Sequence, residues 1–366
     1  MRTGVRLQRT REGLIFFNSF QGQFSDSPRA IFEELTRSGS AFSHVWRMRD
    51  RHAKDFPAAL TTAAPGTWPH ARGVAQAQYV VTNVHMADNV KVAGATWLQT
   101  WHGTPLKKIG FDKVSPLGRE GERRYARGVA QWDYLISPNA FSTPIFRRAF
   151  RFDGPVLETG LPRNDILSSP ERERIRADVR AKLGLEPGVT AILYAPTFRD
   201  DWRDPSGKFF FDIPLDLAAM ANALGADHRL LMRLHRAIAF EAADSELDFV
   251  RNVTSYPDIR DLYLAADILV TDYSSVMFDF AITGKPIAFF AHDLDAYCSN
   301  VRGFYFDFLA EAPGPIAQTT DELLAVLQTP GWPEAHRDAY DGFRTRFCDK
   351  DDGQATRRVI DAVLKL

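Results

Sequence analysis

Two histidines stand where side chains could do chemistry. In WHGTPLKK (101–108), His102 follows an apolar run and enters a turn made by Gly103 and Pro105, with Lys107 and Lys108 close behind. In RLLMRLHR (229–236), strand alternation puts Arg233 and His235 on one side of a strand tip. An imidazole titrates near neutrality, which suits a general base, and lysines beside it suit an anionic substrate. Either histidine alone also fits a structural role. A histidine at a strand end in each half of the chain is harder to assign to packing.

A third group of residues favours phosphate. DILVTDYSSVMFDFAITGKP (267–286) reads as a buried strand, a polar turn from Thr271 through Asp272 and Tyr273 to Ser275, an amphipathic helix, and a stop at Gly284. A helix opening at Ser274 and Ser275 presents backbone N–H groups and a positive dipole end at the strand's carboxyl edge, where open parallel sheets bind ligands. Taken alone, the same pattern is an ordinary crossover with serine caps. Asp279, a helical turn after Ser275, is either a ribose contact or a surface carboxylate. YAPTFRDD (194–201) ends another strand, with Thr197 and Arg199 flanking Phe198. Arg199 is a phosphate clamp or the ion-pair partner of Asp200 or Asp201. Those acidic pairs lack the histidine company of a metal site, and no metal ligand set is expected.

The elements needed to position these groups alternate along the chain. Strand-like runs fall at 14–20, 77–84, 96–102, 133–138 and 156–160, then a capped helical stretch at 168–185. A second series follows at 190–198, 229–235, 266–273 and 286–291. Strands spaced by helices imply parallel sheets, and two series imply two α/β domains, 1–166 and 167–366. A chain of 366 residues also exceeds one comfortable core. There is no run of 18 apolar residues, and the N-terminus carries no signal-peptide pattern. The two cysteines lack metal-ligand spacing and suit a reducing cytoplasm.

The net charge of −1 conceals an asymmetry: residues 1–165 hold 23 Lys+Arg against 14 Asp+Glu, a surplus of nine, and the remainder is acidic. IFRRAFRF (145–152) sets Arg147, Arg148 and Arg151 among phenylalanines. That segment is either a helix lying on an anionic membrane or a solvated helix with its aromatic rings in the core. The surplus favours an acidic partner for the first half. No nucleic-acid motif is present, and nucleic acid is not expected as a partner.

The blocks NSFQGQFSDSPRAIFEEL, WHGTPLKKIGFD, ETGLPRND, YAPTFRDD, RLH, DLYLAADILVTDYSSVMFDFAITGKPIAFF and FRTRFCDKDDGQATRRVID, in order over residues 14–364, resemble the CDP-glycerol glycerophosphotransferases, the teichoic-acid primases and polymerases and related capsule polymerases. The resemblance implies a GT-B fold, with two Rossmann-like domains whose parallel sheets face a central cleft, and a last helix that packs back on the N-terminal domain. It implies transfer of an alditol phosphate from a CDP-activated donor to a hydroxyl of a lipid-linked acceptor at the cytoplasmic membrane face. The protein would be peripheral there, with magnesium arriving on the donor. His102 and His235 match the family's two histidine blocks and are the expected catalytic residues. Thr271 to Ser275 match its phosphate turn. The expected donor set adds Gly103, Thr104, Pro105, Thr197, Phe198, Arg199, Arg233 and Asp279. Lys107, Lys108, Arg147, Arg148 and Arg151 are expected to meet acceptor or membrane. Arg236 stands where the family usually has proline. The chain also lacks the long N-terminal extension of the large polymerases. A nucleotide-sugar GT-B glycosyltransferase and an inactive membrane-docked scaffold are the competing readings, and the donor's alditol is left open.

Overall fold

The computed structural model describes residues 9–113, 118–197, 213–234, 248–294 and 303–365. Phe198, Arg199 and His235 lie outside them. The chain divides into two compact units, Met1–Ser168 with Asp349–Leu366, and Ser169–Cys348.

The first unit is built on seven parallel strands: β1 (Arg11–Asn18), β2 (Ser43–Arg47), β3 (Thr62–Ala63), β4 (Ala77–Thr82), β5 (Thr96–Gln99), β6 (Tyr134–Ser137) and β7 (Val156–Glu158). Their order in the sheet is β3-β2-β1-β4-β5-β6-β7. Helices α1 (Asp26–Arg37), α2 (Trp68–Gln76), α3 (Gly118–Val129) and α4 (Ser142–Phe150) lie between them in the chain. Alternation along β1 explains the two cores. Ile15 and Phe17 join Ile31, Leu35, Trp46, Val81 and Leu98 on one face, while Phe16 joins Val74, Val80 and Trp97 on the other.

The second unit opens with α5 (Arg172–Lys182). It continues through β8 (Thr190–Tyr194), α6 (Leu217–Leu224), β9 (His228–Met232), β10 (Val250–Asn252), α7 (Ile259–Ala265) and β11 (Ile268–Thr271). It then runs through α8 (Val276–Ala281), β12 (Ile287–Phe290), β13 (Ile316–Ala317), α9 (Thr320–Gln328) and α10 (Arg337–Phe347). Its parallel sheet has the order β10-β9-β8-β11-β12-β13. Both units thus repeat the doubly wound pattern in which strand order reverses beside the first strand. The reversal falls between β1 and β4 in one unit and between β8 and β11 in the other. In sheets of this kind the loops leaving such strand ends diverge, and ligands bind at the carboxyl edge.

The expected fold class of two parallel α/β sheets holds, and the short strands β2, β3, β10 and β13 are additions to it. The expected strand at 96–102 ends at Gln99, because the Gln99 side chain accepts from the Trp101 N–H at 2.9 Å and Trp101 turns to φ +51°.

The last helix, α11 (Ala355–Val363), belongs to the first unit and sends Val359 and Val363 into its core. Gly160, at φ +78°, permits this, since a Cβ there would stand 2.6 Å from the Lys350 carbonyl oxygen. Asp165 caps the helix by accepting from the N–H groups of Ala355 (3.0 Å) and Thr356 (2.7 Å). Asp165→Ala orphans both donors and is expected to lower unfolding free energy by about 1–2 kcal/mol. Asn at the same position should recover most of that loss in a denaturant titration.

Candidate functional site

His102 is half-buried in the turn beyond β5, and loops from other strands converge on it. Its Nδ1 lies 2.8 Å from the carbonyl oxygen of Asn83, the residue after β4. Its ring stacks on Trp101 (4.1 Å between centroids, 29°) and lies 5.6 Å from Phe20, in the loop after β1. Asn83 also fixes that loop, accepting from the Phe20 N–H at 2.9 Å through Oδ1. The His102 carbonyl accepts from Arg163 Nη1 at 2.9 Å, and the same nitrogen meets Asp26 Oδ2 at 2.6 Å. Arg163 is 6% exposed and Asp26 4%.

A carbonyl oxygen only accepts, so in the neutral ring Nδ1 carries the proton and Nε2 is left with its lone pair. Burial pushes the His102 pKa down from 6.5, and Arg163 adds to this; the Asn83 bond and the Asp26 charge oppose it. The group at neutral pH is therefore an uncharged imidazole with Nε2 as a base.

The rest of the WHGTP turn is scaffold. Gly103 takes φ +144° and is buried together with Thr104 and Pro105. The Thr104 hydroxyl accepts from Asn139 Nδ2 at 3.2 Å. Their burial and this bond fix the turn that carries the histidine. Lys107 and Lys108 are half-buried behind them.

The IFRRAFRF segment takes its core reading. On α4 the helical period turns Ile145, Phe146, Ala149 and Phe150 inward and leaves Arg147 and Arg148 exposed, with Arg151 just beyond. Its phenylalanines are buried, so no aromatic face is offered to a bilayer. Arg148 pairs with Asp112 at 2.8 Å, and Arg151 sits 3.8 Å over the Phe111 ring. Among the described residues no helix is long and apolar enough to cross a membrane.

In the second unit, the TDYSS turn sits at the β8/β11 switch point. Thr271, Asp272 and Tyr273 are buried and build the turn. The Thr271 hydroxyl donates to the Ala195 carbonyl at 2.7 Å, and Asp272 Oδ1 accepts from the Thr197 N–H at 2.8 Å. Tyr273 packs against Phe304 and Phe308. Ser274 and Ser275 are half-exposed, and their side chains make no hydrogen bond among the described residues. Helix α8 behind them has six residues, and Asp279 lies on its buried face, 3% exposed. That burial rules out the surface-carboxylate reading. Arg233, at the tip of β9, donates through Nη1 to the carbonyls of Val253 (3.0 Å) and Tyr256 (2.6 Å), which anchors the segment leading to position 235.

Asn83, Asp26, Arg163, Trp101 and Phe20 were not singled out from sequence. For Phe20, Asp26 and Arg163 the signal lay in the NSFQGQFSDSP and LPRND blocks, which carried no chemistry until the fold brought them to His102; Trp101 precedes His102 in its own block, and Asn83 had no signal beyond the end of its strand. Removing Arg163 leaves Asp26 buried without its partner, at a typical cost of about 3–5 kcal/mol. Arg163→Met is expected to lower the thermal midpoint by several degrees. The paired variant Asp26→Asn with Arg163→Met should recover part of that loss in the same melting experiment.

The profile of the CDP-glycerol:poly(glycerophosphate) glycerophosphotransferase family matches residues 1–365. A teichoic acid glycerol-phosphate transferase of Staphylococcus aureus is 38% identical over 97% of this chain and 93% of its own length. A teichoic acid poly(glycerol phosphate) polymerase of Bacillus subtilis is 36% identical over 96% of this chain, which spans 48% of that protein. A solved wall teichoic acid polymerase TagF, a histidine-to-asparagine variant soaked with CDPG, matches with a TM-score of 0.90 and 34% identity, covering 96% of this chain and 88% of that one.

Proposed function

The chain belongs to the CDP-glycerol:poly(glycerophosphate) glycerophosphotransferase family, and on that premise we propose that it transfers glycerol phosphate from CDP-glycerol to a hydroxyl of a lipid-linked teichoic-acid-type acceptor, releasing CMP. The acceptor oxygen attacks the donor's β-phosphorus in line. The new P–O bond forms as the bond to the bridging oxygen breaks, and that oxygen leaves with CMP. His102 Nε2 takes the hydroxyl proton.

The observation that carries this reading is the 2.8 Å contact from His102 Nδ1 to the Asn83 carbonyl, because it leaves Nε2 basic. On the second unit, Ser274 and Ser275 receive the donor's diphosphate, and Thr271 and Asp272 hold that turn rigid. Arg199 and His235 steady the leaving phosphate, and any magnesium arrives with the donor. Phosphoryl transfer is governed by positioning and charge stabilisation, which this inventory supplies. The surplus of nine positive charges over residues 1–165 supports a peripheral station on the anionic cytoplasmic face of the membrane.

His102→Ala is expected to slow CMP release from CDP-glycerol by about 10²–10⁴-fold. CDP at about 100 times its dissociation constant should still stabilise wild type and variant alike by about 2.7 kcal/mol. Near wild-type turnover in the variant, with CDP binding intact, would remove His102 from the mechanism.

A further inference from the structure

The first unit contains a cavity of about 520 Å³ that the transfer chemistry above does not use. It opens among the loops leaving the carboxyl ends of β1, β2 and β4 and the flank of α3. Its polar lining includes Gln21, Arg47, His70, His85, Asp88 and Arg124.

The charges in this lining do not balance. Arg124 is paired with Asp88 at 2.5 Å. The Arg47 side chain makes no hydrogen bond or ion pair with any described residue, although the Asp88 charge acts on it, and its Nε is buried without a partner. His70 is 7% exposed, and its Nε2 is likewise buried and unpartnered; both ring nitrogens of His85 are in the same condition. Burial holds both histidines down to about 4, and the Arg47 charge also pushes His70 down. Buried polar groups are ordinarily satisfied, so several orphans around one cationic fork mark the place of a missing acceptor.

Position identifies the acceptor. His85 lines the cavity and meets Trp101 edge-on at 6.3 Å, and Trp101 stacks on His102. Two aromatic rings, His85 and Trp101, connect a group held here to the base.

We propose that this cavity binds a phosphodiester of the acceptor chain, with Arg47 gripping its anionic oxygens and His70 Nε2 completing the cradle. The inference rests on the transferase reading for the identity of the ligand. It makes the unit bearing His102 a reader of an already phosphorylated acceptor.

The test is calorimetric binding to the full-length protein, without turnover. The probes are a synthetic tetra(glycerol phosphate), uncharged tetraglycerol and inorganic phosphate. The tetra(glycerol phosphate) should bind wild type and weaken about 10- to 100-fold in Arg47→Gln, the loss typical of a hydrogen bond to a charged group. Arg47→Lys keeps the charge without the fork and should fall between them, and tetraglycerol should not bind. Equal affinity of wild type and a folded Arg47→Gln for the tetra(glycerol phosphate) would overturn the proposal. So would inorganic phosphate binding as tightly and displacing it, which would make this a free-phosphate site. The thermal shift with CDP is read in parallel. Its absence in both proteins would sink the donor reading, while the tetra(glycerol phosphate) arm would still decide the cavity.

Discussion

The site in the first unit depends on one buried ion pair, Asp26 with Arg163, whose residues lie 137 positions apart. Two charges withdrawn from water are tolerated only when each is paired and hydrogen-bonded. Here the pair ties the start of α1 to the turn following β7, and Arg163 extends the tie to the carbonyl of His102. The backbone that carries the imidazole is therefore fixed by a charge that cannot move without leaving its partner stranded. The same pair tunes the ring: Asp26 favours the protonated form against the larger effect of burial, and Arg163 acts with burial to disfavour it.

The two units share a topology and use it differently. In the first, the turn after β5 holds a titratable ring, and the loop after β4, at the switch point, holds its acceptor carbonyl. In the second, the β8/β11 switch point holds a hydroxyl-rich turn whose conformation is set by Thr271 and Asp272. Most of the polar residues in both places are spent on geometry. Among the described residues, His102 Nε2 and the Ser274 and Ser275 hydroxyls keep hydrogen-bonding capacity that no neighbour engages, the division that preorganisation for phosphoryl transfer calls for.

Much of this was legible in the sequence, for identifiable reasons. The apolar runs of β1, β4, β8 and β11 are continuous and largely buried, so they read as strands, and their spacing by helices announced parallel sheets. His102 and the TDYSS turn were visible because strand ends carry ligands in such sheets. The short strands β3 and β13, with two residues each, give no periodic signal. Helical phase decided two open alternatives: Asp279 points into the unit, against its surface-carboxylate reading, and the phenylalanines around Arg147 and Arg148 take the core position that was one of their two readings. The partners of His102 could not be read at all, since Asn83, Asp26 and Arg163 acquire their meaning only when the sheet order brings three loops together. Arg47 and His70 share that history.

The central claim is that His102 is a neutral base with its proton on Nδ1. Nitrogen-15 NMR of histidine-labelled protein, assigned with His102→Gln, tests it directly. The account predicts an Nδ1–H tautomer at pH 7 and a midpoint below 6.5, so that the ring gains its second proton only as the pH falls through that lowered value. An Nε2–H tautomer, or an imidazolium persisting at pH 7, would contradict it.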